Sequence, residues 1–210
     1  MARRHRTRKA ARQTPFREPK PIILVLCEGR VTEPQYLTGF ALACENPRVQ
    51  VEIVDEYGND PKTLVKKAKD LKRKAEADAK SRADENLIID SVWCVFDVDE
   101  HHSIPEAVVM ARDNKIQLAI SNPSFELWLL LHFQESCGMQ NRSTVRKLLQ
   151  SHVADYDKHV DYEKHFAHGY EDAVKRSEQL DKLREILREG NHEHNPSTGV
   201  FRLTESVRQD

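Results

Sequence analysis

Residues 21–40 read PIILVLCEGRVTEPQYLTGF, and the fold turns on this stretch. Ile22 to Cys27 is an unbroken apolar run. Such a run predicts a strand buried on both faces, as inside a parallel sheet. It ends abruptly in Glu28-Gly29-Arg30, where Gly29 permits a sharp turn or a close backbone approach. Thr32 is the expected N-cap of the next helix, with Pro34 in its first turn, where a missing N–H costs nothing. Tyr36, Leu37, Phe40 and Cys44 continue at helical spacing. The unit is therefore strand–turn–helix, with Glu28 at the carboxyl end of the strand. In open α/β sheets that edge is where ligands bind. The plainer role for Glu28 is to cap the turn.

A second apolar run, Val92 to Phe96, leads straight into Asp97-Val98-Asp99. In extended backbone alternate residues point the same way, so Asp97 and Asp99 would face together. Two like charges that close call for a proton or a cation between them. A hard divalent ion with oxygen ligands, Mg²⁺ or Mn²⁺, meets that need. The alternative is a pair of acids capping a helix that begins near Ile104-Pro105-Glu106.

The rest of the pattern alternates strand and helix. Val49, Val51 and Ile53 alternate with Gln50 and Glu52, which predicts a strand near a sheet edge. Gly58-Asn59-Asp60 is a turn, with Asp60 or Thr63 capping a helix to Arg82. Leu64, Ala68, Leu71 and Ala75 make its apolar stripe. Nine Lys/Arg against three acids over residues 62–82 leave its other face basic, either simply solvated or in contact with nucleic acid. A helix over Ile104–Asn114 and a strand over Ile116–Ile120 follow. Asn122 as N-cap and Pro123 at N1 then predict a helix through Phe133, apolar nearly all round and so buried. Glu126 is the odd residue in it. A buried carboxylate is paired, capping or catalytic. His132 reads as a satisfied core histidine.

Beyond Phe133 the alternation stops. Helices are expected at Ser143–Ser151, at Tyr170–Glu189 with Gly190 as the stop, and at Pro196–Val207 as a closing element. Tyr156–Tyr170 is polar, with scattered His and Lys. His192-Glu193-His194 has no second ligand pair at metal-site spacing and reads as a surface loop.

Composition narrows the class. The 210-residue chain is 32% charged yet carries a net charge of only −1, unevenly spread. Residues 1–20 hold eight Lys/Arg against Glu18, giving +7, so the remainder carries −8. This arm has no apolar periodicity, and it is expected to be flexible, with Arg3, Arg4, Arg6, Arg8, Lys9 and Arg12 able to contact nucleic-acid phosphates. A solvated tail and an Arg-rich presequence are its other readings. No stretch is long and apolar enough to span a membrane. Cys27, Cys44, Cys94 and Cys137 are widely spaced without a CxxC, as in a reducing cytoplasm.

Four ordered motifs remain to be joined: Cys27-Glu28-Gly29 with Thr32-Glu33-Pro34; Phe96-Asp97-Val98-Asp99; Asn122-Pro123-Ser124-Phe125-Glu126-Leu127-Trp128; and Asn195-Pro196-Ser197-Thr198. Together they resemble the RloB family, from about Pro21 onward. The resemblance implies an α/β fold that is Toprim-like (Rossmann-like): a parallel sheet flanked by helices over residues 21–135, with a helical C-terminal extension over 136–210. In Toprim enzymes a glutamate after the first strand acts beside a DxD pair that binds Mg²⁺. That maps onto Glu28, Asp97 and Asp99 as catalytic and metal-binding residues, with Glu126 a further catalytic candidate, Glu33 a secondary one, and Arg30 a phosphate contact. The usual Toprim DxD is commonly followed by glycine, whereas Glu100-His101-His102 follows here.

The implied activity is metal-dependent cleavage of DNA or RNA in prokaryotic phage defence. The implied partners are the nucleic acid and a defence-system ATPase or restriction–modification components. Two other classes fit parts of the pattern: a non-catalytic nucleic-acid-binding subunit, and a haloacid-dehalogenase-type phosphatase whose nucleophile would be Asp97. The second lacks the Thr/Val expected after its DxD and leaves Glu28 without a role.

Overall fold

The first apolar run is a strand, β1 (Ile23–Cys27), with all five residues buried. The structure, a computed structural model, describes residues 21–53, 60–98, 103–136, 138–187 and 194–208. Beside β1 lie β2 (Val49–Ile53) on one side and β3 (Ser91–Asp97) on the other, both parallel to it. β4 (Gln117–Asn122) pairs parallel with β3, and β5 (Ser197–Thr198) pairs antiparallel with β4. The sheet order is β2-β1-β3-β4-β5. β2 is thus an edge strand, as its alternating sequence suggests.

The helices are α1 (Thr32–Ala43), α2 (Pro61–Arg82), α3 (Ile104–Asp113), α4 (Glu126–Leu131), α5 (Arg142–His152), α6 (Tyr162–His165), α7 (Tyr170–Leu187) and α8 (Val200–Arg208). The strands sort them into two layers by alternation. Ile23, Val25, Cys27, Trp93 and Val95 share a core with residues of α1, α4, α5, α7 and α8. Leu24, Leu26, Val92, Cys94 and Phe96 share another with α2 and α3. Each fully buried large apolar side chain contributes roughly 1.5–3 kcal/mol. The chain is an α/β protein whose mostly parallel sheet is covered by helices on both faces.

Topology places the site. From β1 the chain steps out to β2 and then crosses back over β1 to β3. Helices α1 and α2 therefore cover opposite faces, as right-handed crossovers require. The reversal leaves a crevice between the carboxyl ends of β1 and β3, where open α/β sheets bind ligands. Glu28 and Asp97 stand at those two ends. Asp97 follows Val95 by two, so it projects toward the α1, α4 and α5 layer.

Several local expectations change. Thr32 is the first residue of α1, not its cap: its hydroxyl donates to the Lys158 carbonyl (2.8 Å), and no side chain caps the helix. Asn122 is the last residue of β4, paired with Ser197, and the Asn122–Pro123 peptide is cis. The helix begins at Glu126, not at Pro123, since pairing with Ser197 keeps Asn122 in the sheet. The C-terminal segment is not helical from Pro196: Ser197–Thr198 joins the sheet first, and α8 starts at Val200. Tyr156–Tyr170, polar in composition, still contributes to the core. Tyr156, Val160, Tyr162, Phe166 and Tyr170 are buried among α1 and α4, carried by short helical turns and the loops between them.

Other expectations match. Asp60 caps α2, accepting from the Thr63 N–H (3.1 Å). Among the described residues, Cys27, Cys44 and Cys94 are in no disulfide. Among the described residues no helix is long and apolar enough to cross a membrane. The basic arm, the Gly58-Asn59 turn, Asp99 through His102, Cys137, Gly190, His192 and Glu193 lie outside the described residues.

Candidate active site

Five elements end at one cleft of about 680 Å³. β1 delivers Glu28, β3 delivers Asp97, the first turn of α1 delivers Glu33, the first residue of α4 is Glu126, and the first residue of α5 is Arg142. Arg30, Ser143, Arg146 and Lys158 complete the wall. Four carboxylates and four cations thus share one opening.

The pairing of β1 with β3 carries on for one residue past β1, because the Glu28 N–H donates to the Val95 carbonyl (3.0 Å). Asp97 N–H points at Glu28 Oε2 across 3.4 Å, a long contact that still sets the two acids side by side. Gly29 is required by Glu33. A Cβ at position 29 would collide with the Glu33 carboxyl, so that buried group lies directly on the glycine backbone. Glu126 is held from both sides. Ser124 donates to its Oε2 (2.7 Å) and the Tyr156 hydroxyl donates to its Oε1 (3.2 Å). Arg142 reaches in from solvent. Its Nη2 donates to Asp97 Oδ2 at 2.9 Å and its Nε to the Pro123 carbonyl at 3.1 Å.

The electrostatics follow from crowding. Burial pushes the Asp97 carboxyl well above the ordinary carboxylate range; Glu33, Glu126 and Glu28 push it the same way, while Arg142 pulls it down. Glu33 is also raised, first by burial and then by Glu126, against its own backbone N–H, Lys158 and Arg142. Buried carboxylates crowd together at the switch point, and such crowding favours a proton or a cation among them. Oxygen donors of this kind suit a hard divalent ion. Among the described residues no group of three His, Cys, Asp or Glu side chains is arranged to hold a metal ion. Glu28 and Asp97 supply two oxygen donors side by side, and Asp99, the third expected ligand, lies outside the described residues.

Of the residues singled out in the sequence, the fold brings Glu28, Asp97, Glu126, Glu33 and Arg30 to one cleft. Arg3, Arg4, Arg6, Arg8, Lys9 and Arg12 lie outside the described residues. Sequence reasoning did not find Arg142, Arg146, Tyr156 and Lys158. A signal existed for the arginines. Asn141 caps α5 through the Thr144 N–H (2.9 Å), and that cap sets Arg142 and Arg146 one turn apart at a helix start. Tyr156 and Lys158 sit in an irregular segment with no comparable signal.

His132, at the far end of α4, is the core histidine the sequence suggests. Its Nδ1–H donates to the Trp128 carbonyl (3.0 Å), and the Tyr36 hydroxyl donates to Nε2 (3.0 Å). Tyr36 is itself the hub of an aromatic cluster with Phe40, Phe125, Trp128, Tyr162 and Phe166, at centroid distances of 5.2–6.4 Å. This bond ties α1 to α4, the two helices whose first turns present Glu33 and Glu126.

Compared with known protein families, the chain matches the model described as "RloB-like protein" over residues 23–207. No curated protein and no solved structure matches it.

Proposed function

The chain belongs to the RloB-like family, and from that premise we propose that it is a metal-dependent nuclease hydrolysing phosphodiester bonds in DNA or RNA. The observation that carries this reading is the meeting of Glu28 and Asp97 at the sheet's switch point, in a cleft also lined by Arg30, Arg142, Arg146 and Lys158. A phosphodiester needs both kinds of group. Cations hold its anionic oxygens, and carboxylates hold a metal or take the proton of an attacking water.

Mg²⁺ or Mn²⁺, when bound, would supply Lewis-acid stabilisation of the phosphate and a more acidic water. Asp97 and Glu28, with Asp99, would hold it. Glu28 would complete this ligand set or act as general base. Glu126 keeps a fixed orientation through Ser124 and Tyr156, which suits a residue that positions a water. Arg30, Arg146 and Lys158 would neutralise phosphates, and the +7 arm would add contacts along the backbone. The proposed setting, phage defence in a prokaryotic cytoplasm beside an ATPase or restriction–modification partner, is supported by the family resemblance.

The test is a cleavage assay on single- and double-stranded DNA and RNA, with Mg²⁺, with Mn²⁺ and with chelator. Metal-dependent cleavage by the full chain that disappears in Asp97→Ala is the expected result. A chain that binds nucleic acid but cuts none of these substrates under any metal would make it a binding subunit instead.

A further inference from the structure

We infer that the outward face of α2 is a second nucleic-acid contact, a row of cations that holds the phosphate backbone of double-stranded DNA or RNA outside the cleft. This takes its kind of partner from the nuclease reading, on which it rests, and assigns a surface that reading leaves without a role.

Charge is segregated along this chain. With the arm at +7 and residues 62–82 at +6, the rest of a chain of net −1 carries −14. A polyanion is repelled by that remainder and drawn to the two basic segments. On α2 the cations are also ordered. Lys62, Lys66, Lys69, Arg73 and Lys80 fall within about 40° of one line along the helix, about 27 Å long at 1.5 Å per residue. Glu76 is the one acid on that line. Lys62, Lys66, Arg73 and Lys80 are exposed, and Lys69 is half-buried.

Neighbouring acids do not account for the row. Lys62 pairs with Glu106 of α3, and Asp113, the other acid of α3, pairs with Arg112 (3.1 Å). Among the described residues Lys66, Lys69, Arg73 and Lys80 form no ion pair. Lys62, Lys66, Lys69 and Arg73 are like charges at successive steps of three or four residues, and such neighbours repel. A face kept only for solubility would mix the two signs. A ligand of opposite charge relieves the repulsion.

The chemistry of the row selects that ligand. α2 contains no aromatic residue, so it offers unpaired bases nothing to stack on. Its apolar stripe, Leu64, Val65 and Ala68, is buried in the core, so no apolar face is left to sink into a lipid surface. Cations in line on a straight helix suit the regular phosphates of a duplex, without reading sequence. The placement agrees. The Ser103 hydroxyl donates to Asp60, joining the heads of α3 and α2 at the sheet edge where β3 ends and the cleft opens. From that edge α2 runs back along the layer opposite α1, so one end of the row points toward the cleft.

Fluorescence anisotropy of the full chain in chelator, where no cleavage occurs, reads this contact. The probes are duplex DNA, duplex RNA and single strands of equal length. Lys66→Glu combined with Arg73→Glu should weaken duplex binding about tenfold and make its salt dependence shallower. The duplex with the larger loss identifies the partner, and single strands should lose far less. Lys175→Glu combined with Lys182→Glu, at exposed positions of α7, changes net charge equally and should have little effect. Lys66→Gln combined with Arg73→Gln should repeat the pattern more weakly, and it serves if the Glu variant melts early. Duplex binding that is absent in wild type, or unchanged in both α2 variants, overturns the inference. So does an equal loss in the α2 and α7 reversals, or an equal loss for single strands. Phosphatidylserine–phosphatidylcholine vesicles that lose binding in the α2 variants while duplexes do not would also overturn it, in favour of a membrane surface. A chain that shows the duplex loss yet cuts nothing with any metal would retract the nuclease reading and keep the contact. A chain that cuts while duplex binding ignores α2 would do the reverse.

Discussion

Lowering the pH should loosen the protein through one buried group, His132. The ring is 3% exposed and bonded on both nitrogens, as acceptor from Tyr36 and as donor to the Trp128 carbonyl. A second proton would need a second acceptor, and Tyr36 would have to reverse its hydroxyl. Burial accordingly pushes the ring down from 6.5 to about 3, with the nearby His168 and Arg176 acting in the same direction. The sign follows from linkage. The unfolded chain takes up a proton below its ordinary value of about 6.5, while the folded chain does not until about pH 3.

Stability from this residue is therefore complete above pH 6.5 and falls as pH drops through that window. At pH 5 the difference is about 1.5 units, or roughly 2 kcal/mol at 1.36 kcal/mol per unit. The assay is urea unfolding of wild type and His132→Gln at pH 7.5 and 5. Other titrating groups are common to both proteins and cancel. The variant starts lower because it disturbs the aromatic core, but the gap should narrow by about 2 kcal/mol at pH 5. Parallel pH dependences, within about 0.5 kcal/mol, would show that His132 is not held neutral by its surroundings. Because Tyr36 and His132 join α1 to α4, the same acid step should weaken the support beneath Glu33 and Glu126.

Three further outcomes follow from the cleft. Asp97→Asn should be more stable than wild type at pH 8, because a carboxyl whose folded value is raised costs stability once pH climbs above the unfolded range; the advantage should fade toward pH 4 in thermal melts, and an Asn variant less stable by more than about 1 kcal/mol at pH 8 would contradict the crowding argument. Gly29→Ala should fold, since the Glu33 carboxyl can swing away from the new Cβ, but it should lose about 10²-fold in cleavage as Glu33 leaves its place; wild-type rates would show that Glu33 has no part in the site. Deleting residues 1–20 should flatten the salt dependence of nucleic-acid binding in filter or anisotropy titrations, and an unchanged slope would make the arm a tail.

How much was legible depends on whether a residue's role is local. β1 and β3 announce themselves as apolar runs ending in acids, so Glu28 and Asp97 could be placed at strand ends from the sequence. The order β2-β1-β3-β4 could not, and it is that order which makes those two ends neighbours. Asn122-Pro123 carries strong helix-start chemistry, yet β5, distant in sequence, pairs with Asn122 and keeps it in the sheet. Arg142 and Lys158 reach the cleft through chain folding far from β1 and β3. Tyr156 and Phe166 join the core from a segment of short helical turns packed on α1 and α4, too short and too polar around them to announce a buried element.

Glu28→Gln tests the central claim most directly, with single-turnover cleavage and thermal melting measured on the same samples. Gln keeps the shape and the hydrogen bonding of the side chain but carries no charge and takes no proton. If Glu28 holds the metal or acts as base, the metal-dependent rate should fall by roughly 10²-fold or more with almost no change in melting temperature. A variant that melts early, by about 1 kcal/mol of lost stability, yet cuts at the wild-type rate would make Glu28 a cap on the turn after β1 and remove it from the chemistry.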